Sequence, residues 1–333
     1  MKNYKKNLIY FFVGCFSFFC FADGRNFSFS IEPCFGIRNG VLDEFVYENA
    51  VNDNREYHLS ILNWELRNSL YYGVDVDAGF SNFHIVASWK SLIPCASGRM
   101  YDSDFLQDYY YGTNQTDVKT NWSVHDNYLI SGLNLALALK YEFNVNKNFS
   151  ISPVIEVSYE NYFFKAKDGT AFYGESLVGY DEWYHYYPYD DVENITVSKL
   201  PGDNVDLQRN DFFTWIGFET LFFTNDRRFI FSLSLACSPY TYIYAHDSHL
   251  LRDIYFIDIS QGVFSVFKGK TFVQFNITET VGVKLSVSGL FSAELKGEEY
   301  LSYSYNGLYK KQSTVVGAAS KYFDAQISAV VSF

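Results

Sequence analysis

Two pairs of ionisable residues have the spacing of neighbours on one face of a strand. Asp247 and His249 are two residues apart, as are Asp102 and Asp104 in the segment SGRMYDSDF. In an extended chain, residues two apart point the same way. An imidazole beside a carboxylate can act as a general base whose tautomer is fixed by the acid. Two close carboxylates repel each other, so one can keep a proton at neutral pH and help to position a water.

The segment that would carry Asp247 and His249 changes its outward face part-way along. From Arg227 onward, bulky apolar residues alternate with small or polar ones, as in a strand with one apolar face. Pro239 cannot donate to a neighbouring strand, so a β-bulge is predicted there, which moves every later side chain to the opposite face. The shift turns Asp247 and His249 toward the polar side. It also places three tyrosines on the apolar side as an aromatic belt: Tyr240, Tyr242 and Tyr244.

Alternation of apolar and polar residues recurs along the whole chain. It is clearest over 129–143, where leucines and aromatics share one face and Asn134, Lys140 and Glu142 share the other. Lys140 and Glu142 cannot face lipid, so their side must line a polar interior. Short turns alternate with long polar loops, an arrangement typical of outer-membrane barrels. We therefore predict an all-β fold, a transmembrane antiparallel β-barrel of about ten strands with long loops at one rim.

The polar stretches give the expected strand boundaries. A first strand begins at Phe27, a polar excursion covers 39–56, and strands cover about 57–72 and 75–90. A long polar connection is expected over 91–126, which includes the aspartate pair. A second one is expected to follow the fifth predicted strand, from about residue 168 to about residue 203. The alternative fold is a soluble sandwich or lipocalin-like barrel with its apolar face inward. An export signal, long aromatic-rich strands and the terminal Phe333 favour the membrane barrel.

The N-terminus and the composition limit the class of protein. MKNYKK precedes an apolar run ending at Ala22, so residues 1–22 are interpreted as a signal peptide and 23–333 as a single barrel domain. A lipid-attachment box at Cys15 is the alternative interpretation. The formal net charge of −12 becomes about −15 without the three signal lysines, which argues against nucleic acid as a partner. Three cysteines remain after the signal peptide: Cys34, Cys95 and Cys237. Because they are odd in number and widely spaced, they argue against a dense disulfide framework and offer no CxxC pair for a metal. No cofactor is predicted.

The order and spacing of the two pairs resemble the omptin family of outer-membrane endopeptidases. The Asp-x-Asp pair follows the third predicted strand, and the Asp-x-His pair lies near the end of the seventh. SGRMYDSDF is similar to the family's acidic-pair segment, EFVY at 44–47 to its first-loop glutamate, and LNW at 62–64 to its tryptophan motif. The segment 112–125 is similar to one that bears a further acid and a histidine, here Asp117 and His125. The resemblance covers most of the mature chain at low identity.

This resemblance implies catalytic roles for the two pairs. His249 would be the general base, and Asp247 would fix its tautomer and stabilise the imidazolium. Asp102 and Asp104 would hold the attacking water on the opposite wall and assist at the tetrahedral stage. No serine nucleophile or metal is needed.

The resemblance also implies a pocket for basic substrate side chains, and here the sequence departs from the family. Glu44 and Asp117 match substrate-binding acids, but Ala245 stands where the family has a second pocket aspartate. Glu44 would act alone unless a nearby acid such as Asp43 or Glu48 substitutes, so a weakened preference for basic residues is expected. Replacing Ala245 by Asp is expected to strengthen it.

The implied function is an endopeptidase of the outer membrane that hydrolyses polypeptides near basic residues, with its active site facing the cell exterior. The alternative is a non-enzymatic barrel, either an adhesin using its tyrosine-rich loops or a narrow pore. The fifth strand has the sequence YENY at 159–162 where the family has an arginine, which puts dependence on lipopolysaccharide in doubt.

Overall fold

The computed structural model describes four parts of the chain: residues 27–50, 54–107, 116–178 and 183–333. The regular elements of these parts are all β-strands, which confirms the predicted class. They are β1 (Phe27–Asn49), β2 (Glu56–Phe80), β3 (Phe83–Leu92), β4 (Cys95–Asp104), β5 (Asn121–Tyr141), β6 (Phe143–Asn146), β7 (Phe149–Tyr173), β8 (Glu175–Val178), β9 (Trp183–Tyr186), β10 (Thr196–Phe223), β11 (Phe229–His249), β12 (Ile254–Gly262), β13 (Val266–Asn276), β14 (Val281–Ser292), β15 (Leu295–Ser302) and β16 (Lys310–Ser332). In the described parts there is no helix long and apolar enough to cross a membrane. The predicted signal peptide, residues 1–22, lies outside the described residues.

One antiparallel sheet of 14 strands closes on itself, because β1 pairs with both β2 and β16. This strand count is higher than the predicted value of about ten. The difference arises because several long strands are divided. β3 and β4 lie end to end between β2 and β5, β12 and β13 both pair with β11, and β14 and β15 both pair with β16. β6 continues β5 along β7, so the 14 strands follow ten continuous paths around the barrel.

The two rims of the barrel differ in the length of their connections. One rim has the connections 50–55, 105–120, 174–195, 250–253 and 303–309, and the other has 81–82, 142–148, 224–228 and 277–280. The long connections at a single rim agree with the prediction. We call the rim with the long connections the upper rim.

Several predicted boundaries were wrong, chiefly in the first third of the chain. β1 continues through the supposed polar excursion to Asn49, and β2 continues to Phe80, so the turn lies at Ser81 and Asn82 instead of near Gly73. Asp102 and Asp104 lie on a strand, β4, instead of in a polar connection. Some polar residues of these stretches, such as Glu44 and Asp102, face the interior of the barrel, and others, such as Arg99 and Asp126, are exposed on the outside above the apolar band. Their polarity therefore reflects the surroundings of a strand and does not indicate a loop.

Bulky apolar side chains cover the outer surface in the lower part of the barrel. Leu135, Leu137 and Leu139 of β5 are exposed there, whereas Lys140 points inward and its Nζ lies 2.7 Å from Glu219 Oε2. The predicted polar interior is thereby confirmed. The apolar band ends near Tyr128 on β5 and near Tyr240 on β11. The upper ends of the strands, including β4 and 241–249 of β11, lie above it.

Side chains from opposite walls meet across the interior below the upper rim. Trp64 of β2 and Phe164 of β7 are fully buried, with ring centroids 5.8 Å apart. Arg38 of β1 donates to the hydroxyl of Tyr162 on β7. These strands are not neighbours in the sheet, so the contacts span the barrel and fill it.

Candidate active site

β11 changes its outward face at Pro239, as predicted. Thr214 of β10 pairs with Tyr240 and Ile216 pairs with Cys237, so β11 has one more residue than β10 between these pairs. Leu235 before the bulge and Tyr240 after it are both exposed, although one is odd-numbered and the other even-numbered. This bulge turns the side chains at odd positions beyond 240 into the barrel.

Asp247 and His249 form a bonded pair at the upper end of β11. His249 Nε2 lies 2.7 Å from Asp247 Oδ2, and Phe256 packs edge-on against the imidazole with ring centroids 5.3 Å apart. Burial opposes a proton on His249, but the charge and the hydrogen bond of Asp247 outweigh burial and raise the pKa of the imidazole. The second ring nitrogen, Nδ1, accepts a hydrogen bond from Arg252. Asp247 thus favours the tautomer with its proton on Nε2.

Asp102 and Asp104 point into the barrel from β4, beside Ser60 of β2. The hydroxyl of Ser60 donates to Asp102 Oδ1 at 3.2 Å. Burial raises the pKa of both carboxyl groups, and burial together with the charge of Asp102 raises the pKa of Asp104 to about 7. One member of the pair can therefore keep a proton near neutral pH, as the spacing predicted.

Both pairs line a single cavity of about 700 Å³ beneath the upper rim. β4 and β11 are not neighbours in the sheet, so the pairs lie on different walls of this cavity. Burial raises the pKa of Asp102, and the positive charge of His249 opposes that rise. The two pairs are therefore within electrostatic reach of each other across the cavity. The arrangement can hold a water between a base and an acidic pair.

Glu44 lines the same cavity, whereas Asp117 does not. Trp64 Nε1 donates to Glu44 Oε2 at 2.8 Å, and Glu44 Oε1 is buried without a hydrogen-bond partner among the described residues. Burial, followed by the charge of Asp247, raises the pKa of Glu44 to about 8. Asp117 is exposed and lies in a separate shallow pocket beside Arg55.

The sequence and the fold are both similar to those of known proteins. The sequence model of the Omptin family matches residues 25–328. The chain belongs to the omptin family. The crystal structure of the outer membrane protease OmpT from Escherichia coli is similar, with a TM-score of 0.74 and 15% identity over 92% of this chain and 97% of that chain. The outer membrane protein OprG from Pseudomonas aeruginosa has a TM-score of 0.34 and 11% identity over 92% of this chain and 95% of that chain. No curated protein sequence matches the chain.

Membership of the omptin family, together with the likeness to OmpT, confirms the transmembrane β-barrel and supports an outer-membrane protease. Omptin membership also implies polypeptide substrates. It does not identify which residues of this chain carry the chemistry, so the two pairs and Glu44 stay predictions.

Besides the two pairs and Glu44, the cavity contains further functional groups, of which only His125 was named from the sequence. Asp258 and Glu299 add two carboxylates, Arg252 adds a guanidinium, and His125 adds a second imidazole. Burial lowers the pKa of His125 to about 4, so this ring is neutral at neutral pH, and its Nδ1 is buried without a partner among the described residues. The alternation IYFIDIS at 254–260 could have revealed Asp258, because it places that residue between two apolar ones that face outward.

In the described residues no group of His, Cys, Asp and Glu side chains is arranged to hold a metal ion. Cys34, Cys95 and Cys237 have free thiols in this structure.

Proposed function

We propose that this omptin is an endopeptidase in which His249, oriented by Asp247, activates a water held by Asp102 and Asp104. The cavity opens toward the upper rim, and in an outer-membrane protease we place that rim at the cell exterior. The substrates would be polypeptides with a basic residue near the cut. No cofactor takes part.

In the proposed reaction, His249 Nδ1 removes a proton from the water as its oxygen attacks the peptide carbonyl. Asp247 stabilises the imidazolium that forms, through its bond to Nε2. The protonated member of the aspartate pair donates a hydrogen bond to the oxyanion. The imidazolium then gives its proton to the leaving amine, and the C–N bond breaks. Arg252 must move from Nδ1 before the water can bind there, and its exposed position on the connection 250–253 permits this.

One observation carries the proposal: a base with its orienting acid and an acidic pair share one cavity from different walls. The burial that raises the pKa of Asp104 to about 7 supports the role of the pair, because a hydrogen-bond donor to the oxyanion needs a retained proton. The pore alternative is not favoured, because side chains such as Trp64 and Phe164 meet across the interior. No contact among the described residues favours an adhesin.

The test is hydrolysis of a fluorogenic peptide containing Arg-Arg by the refolded protein. We expect cleavage by the parent and a loss on the order of a hundredfold or more in Asp104→Asn. Asp126→Asn is the matched control, because Asp126 is an acid on β5 that pairs with Arg99 outside the cavity. The absence of cleavage by the parent, or equal activity of the two variants, would contradict the proposal.

A further inference from the structure

The neighbour of Ala245 across the sheet is an acid. Ala245 of β11 pairs with Asp258 of β12, and Asp258 pairs in turn with Glu299 of β15. Directly paired residues of antiparallel strands point to the same face, with Cβ atoms about 4.5–5.5 Å apart. Ala245 is buried in the interior, so the side chains of Asp258 and Glu299 also point inward. A carboxylate on the next strand can therefore reach the space that Ala245 leaves open.

Asp258 shares the cavity with Glu44, and each carries an oxygen that no group of the described residues satisfies. Asp258 Oδ1 and Glu44 Oε1 are buried without a hydrogen-bond partner among the described residues. Glu44 is only 5% exposed. Burial raises the pKa of Asp258 well above its usual value, and the charges of Glu44 and Glu299 add to the rise. The three acids are thus close enough to repel one another.

No basic side chain of the described residues forms an ion pair with Glu44 or Asp258. Among basic side chains, the charge of Arg209 acts most strongly on Glu44, but Arg209 is fully buried and its five N–H groups are already engaged. Its Nε and Nη2 donate to Asp211 at 2.8 and 3.0 Å, its Nη1 donates to the carbonyls of Asp43 and Ala319 at 3.2 and 3.1 Å, and its Nη2 also donates to Ser320 Oγ at 2.6 Å. Glu44 and Asp258 are therefore left without an ion-pair partner among the described residues.

The two acids that the sequence suggested as substitutes for the missing aspartate do not fill this role. Asp43 accepts a hydrogen bond from Asn63 Nδ2 at 2.7 Å, and Glu48 accepts one from Tyr57 Oη at 3.3 Å. Neither side chain lines the cavity.

We infer that Asp258, together with Glu44, forms the pocket for a guanidinium or ammonium group of the polypeptide substrate. Asp258 supplies from β12 the second carboxylate that position 245 of β11 lacks, and Glu299 lies beside it. A bound cation neutralises the repulsion between the acids and satisfies their free oxygens. Charge-assisted bonds of this kind are among the strongest hydrogen bonds in proteins. The inference deepens the proposed function and rests on it for the identity of the ligand as a substrate side chain.

The test compares two peptides that differ only in Arg or its neutral isostere citrulline before the cut. In the parent we expect a kcat/KM ratio that favours Arg. In Asp258→Asn that ratio falls on the order of tenfold to a hundredfold, the equivalent of one lost charge-assisted bond. Glu298→Gln is the matched control, because Glu298 is adjacent in sequence to Glu299 but exposed and paired with Lys311. This control keeps the parent ratio.

Moving the second carboxylate from position 258 to position 245 tests the geometry of the pocket directly. Asp258→Ala loses the Arg preference, and combining it with Ala245→Asp restores the preference, because the two positions are cross-strand partners. An unchanged ratio in Asp258→Asn, or a double variant no better than Asp258→Ala, overturns the inference.

Binding separates this inference from the proposed protease activity. Fluorescent Arg and citrulline peptides are titrated against His249→Ala protein, with and without Asp258→Asn. A preference for Arg that disappears with Asp258→Asn supports the pocket even if the parent hydrolyses neither peptide, in which case the protease proposal alone fails. Equal binding of both peptides by His249→Ala protein overturns the pocket, whatever the parent hydrolyses.

Discussion

Replacing His249 by Ala should remove hydrolysis and leave the barrel folded. General base catalysis contributes about a hundredfold to ten-thousandfold, so we expect kcat to fall by at least about a hundredfold. The side chain is hydrogen-bonded to Asp247 and to Arg252, and the loss of each bond costs about 1–3 kcal/mol of folding stability. The barrel closes through the pairing of β1 with β16, in which His249 takes no part, so the fold survives that loss.

The assay is cleavage of the fluorogenic Arg-Arg peptide, with circular dichroism of the refolded protein as the measure of folding. His246→Ala is the matched control, because His246 lies on the same strand but on the other face, where it contacts Tyr309 Oη at 2.8 Å. Near-parent turnover in His249→Ala, or an equal loss in His246→Ala, would refute the assigned base. In the parent, the pKa of His249 is raised, so the acidic limb of the activity profile should lie above pH ~6.5.

Three other perturbations test separate parts of the reasoning. Leu135→Arg on the lipid face of β5 should lower the free energy of unfolding by about 2–4 kcal/mol, and Ala136→Arg on the interior face should lower it by less. Urea unfolding in lipid vesicles measures both, and equal losses would contradict the orientation of the strand. Arg252→Gln removes a positive charge that lowers the pKa of His249, so the acidic limb should move to higher pH, which a pH profile of kcat/KM measures. Asp104→Asn should lose activity at every pH from 5 to 9 instead of shifting the profile.

The alternation of side chains was sufficient to predict the barrel and the orientation of its strands. Leucines of β5 face outward and Lys140 faces inward as predicted, because a charge in lipid is far more costly than one in a wet interior. Strand ends were harder to predict. Above the lipid band both faces of a strand meet water, so apolar periodicity disappears while hydrogen bonding continues, as it does in β4.

The proposed catalytic pairs could be recognised in the sequence because each lies within a single strand. The pairing of Asp258 with Ala245 could not be predicted from the sequence, because it depends on the register between two different strands. Register is fixed by bulges and turns that sequence shows only in part. Pro239 predicted one bulge. The register shift between Arg38 and Gly40 involves Asn68 at φ 52°, and no clear signal for it is present in the sequence.

The contacts across the interior close the lower end of the cavity, so that it opens at the upper rim. Trp64 and Phe164 meet beneath the proposed active site, and Arg38 reaches Tyr162 from the opposite wall. A polypeptide that enters by the upper rim can therefore neither thread through the barrel nor leave by the other end. Both fragments must depart by the route of entry, so release of the fragment that binds in the cavity competes directly with arrival of the next chain.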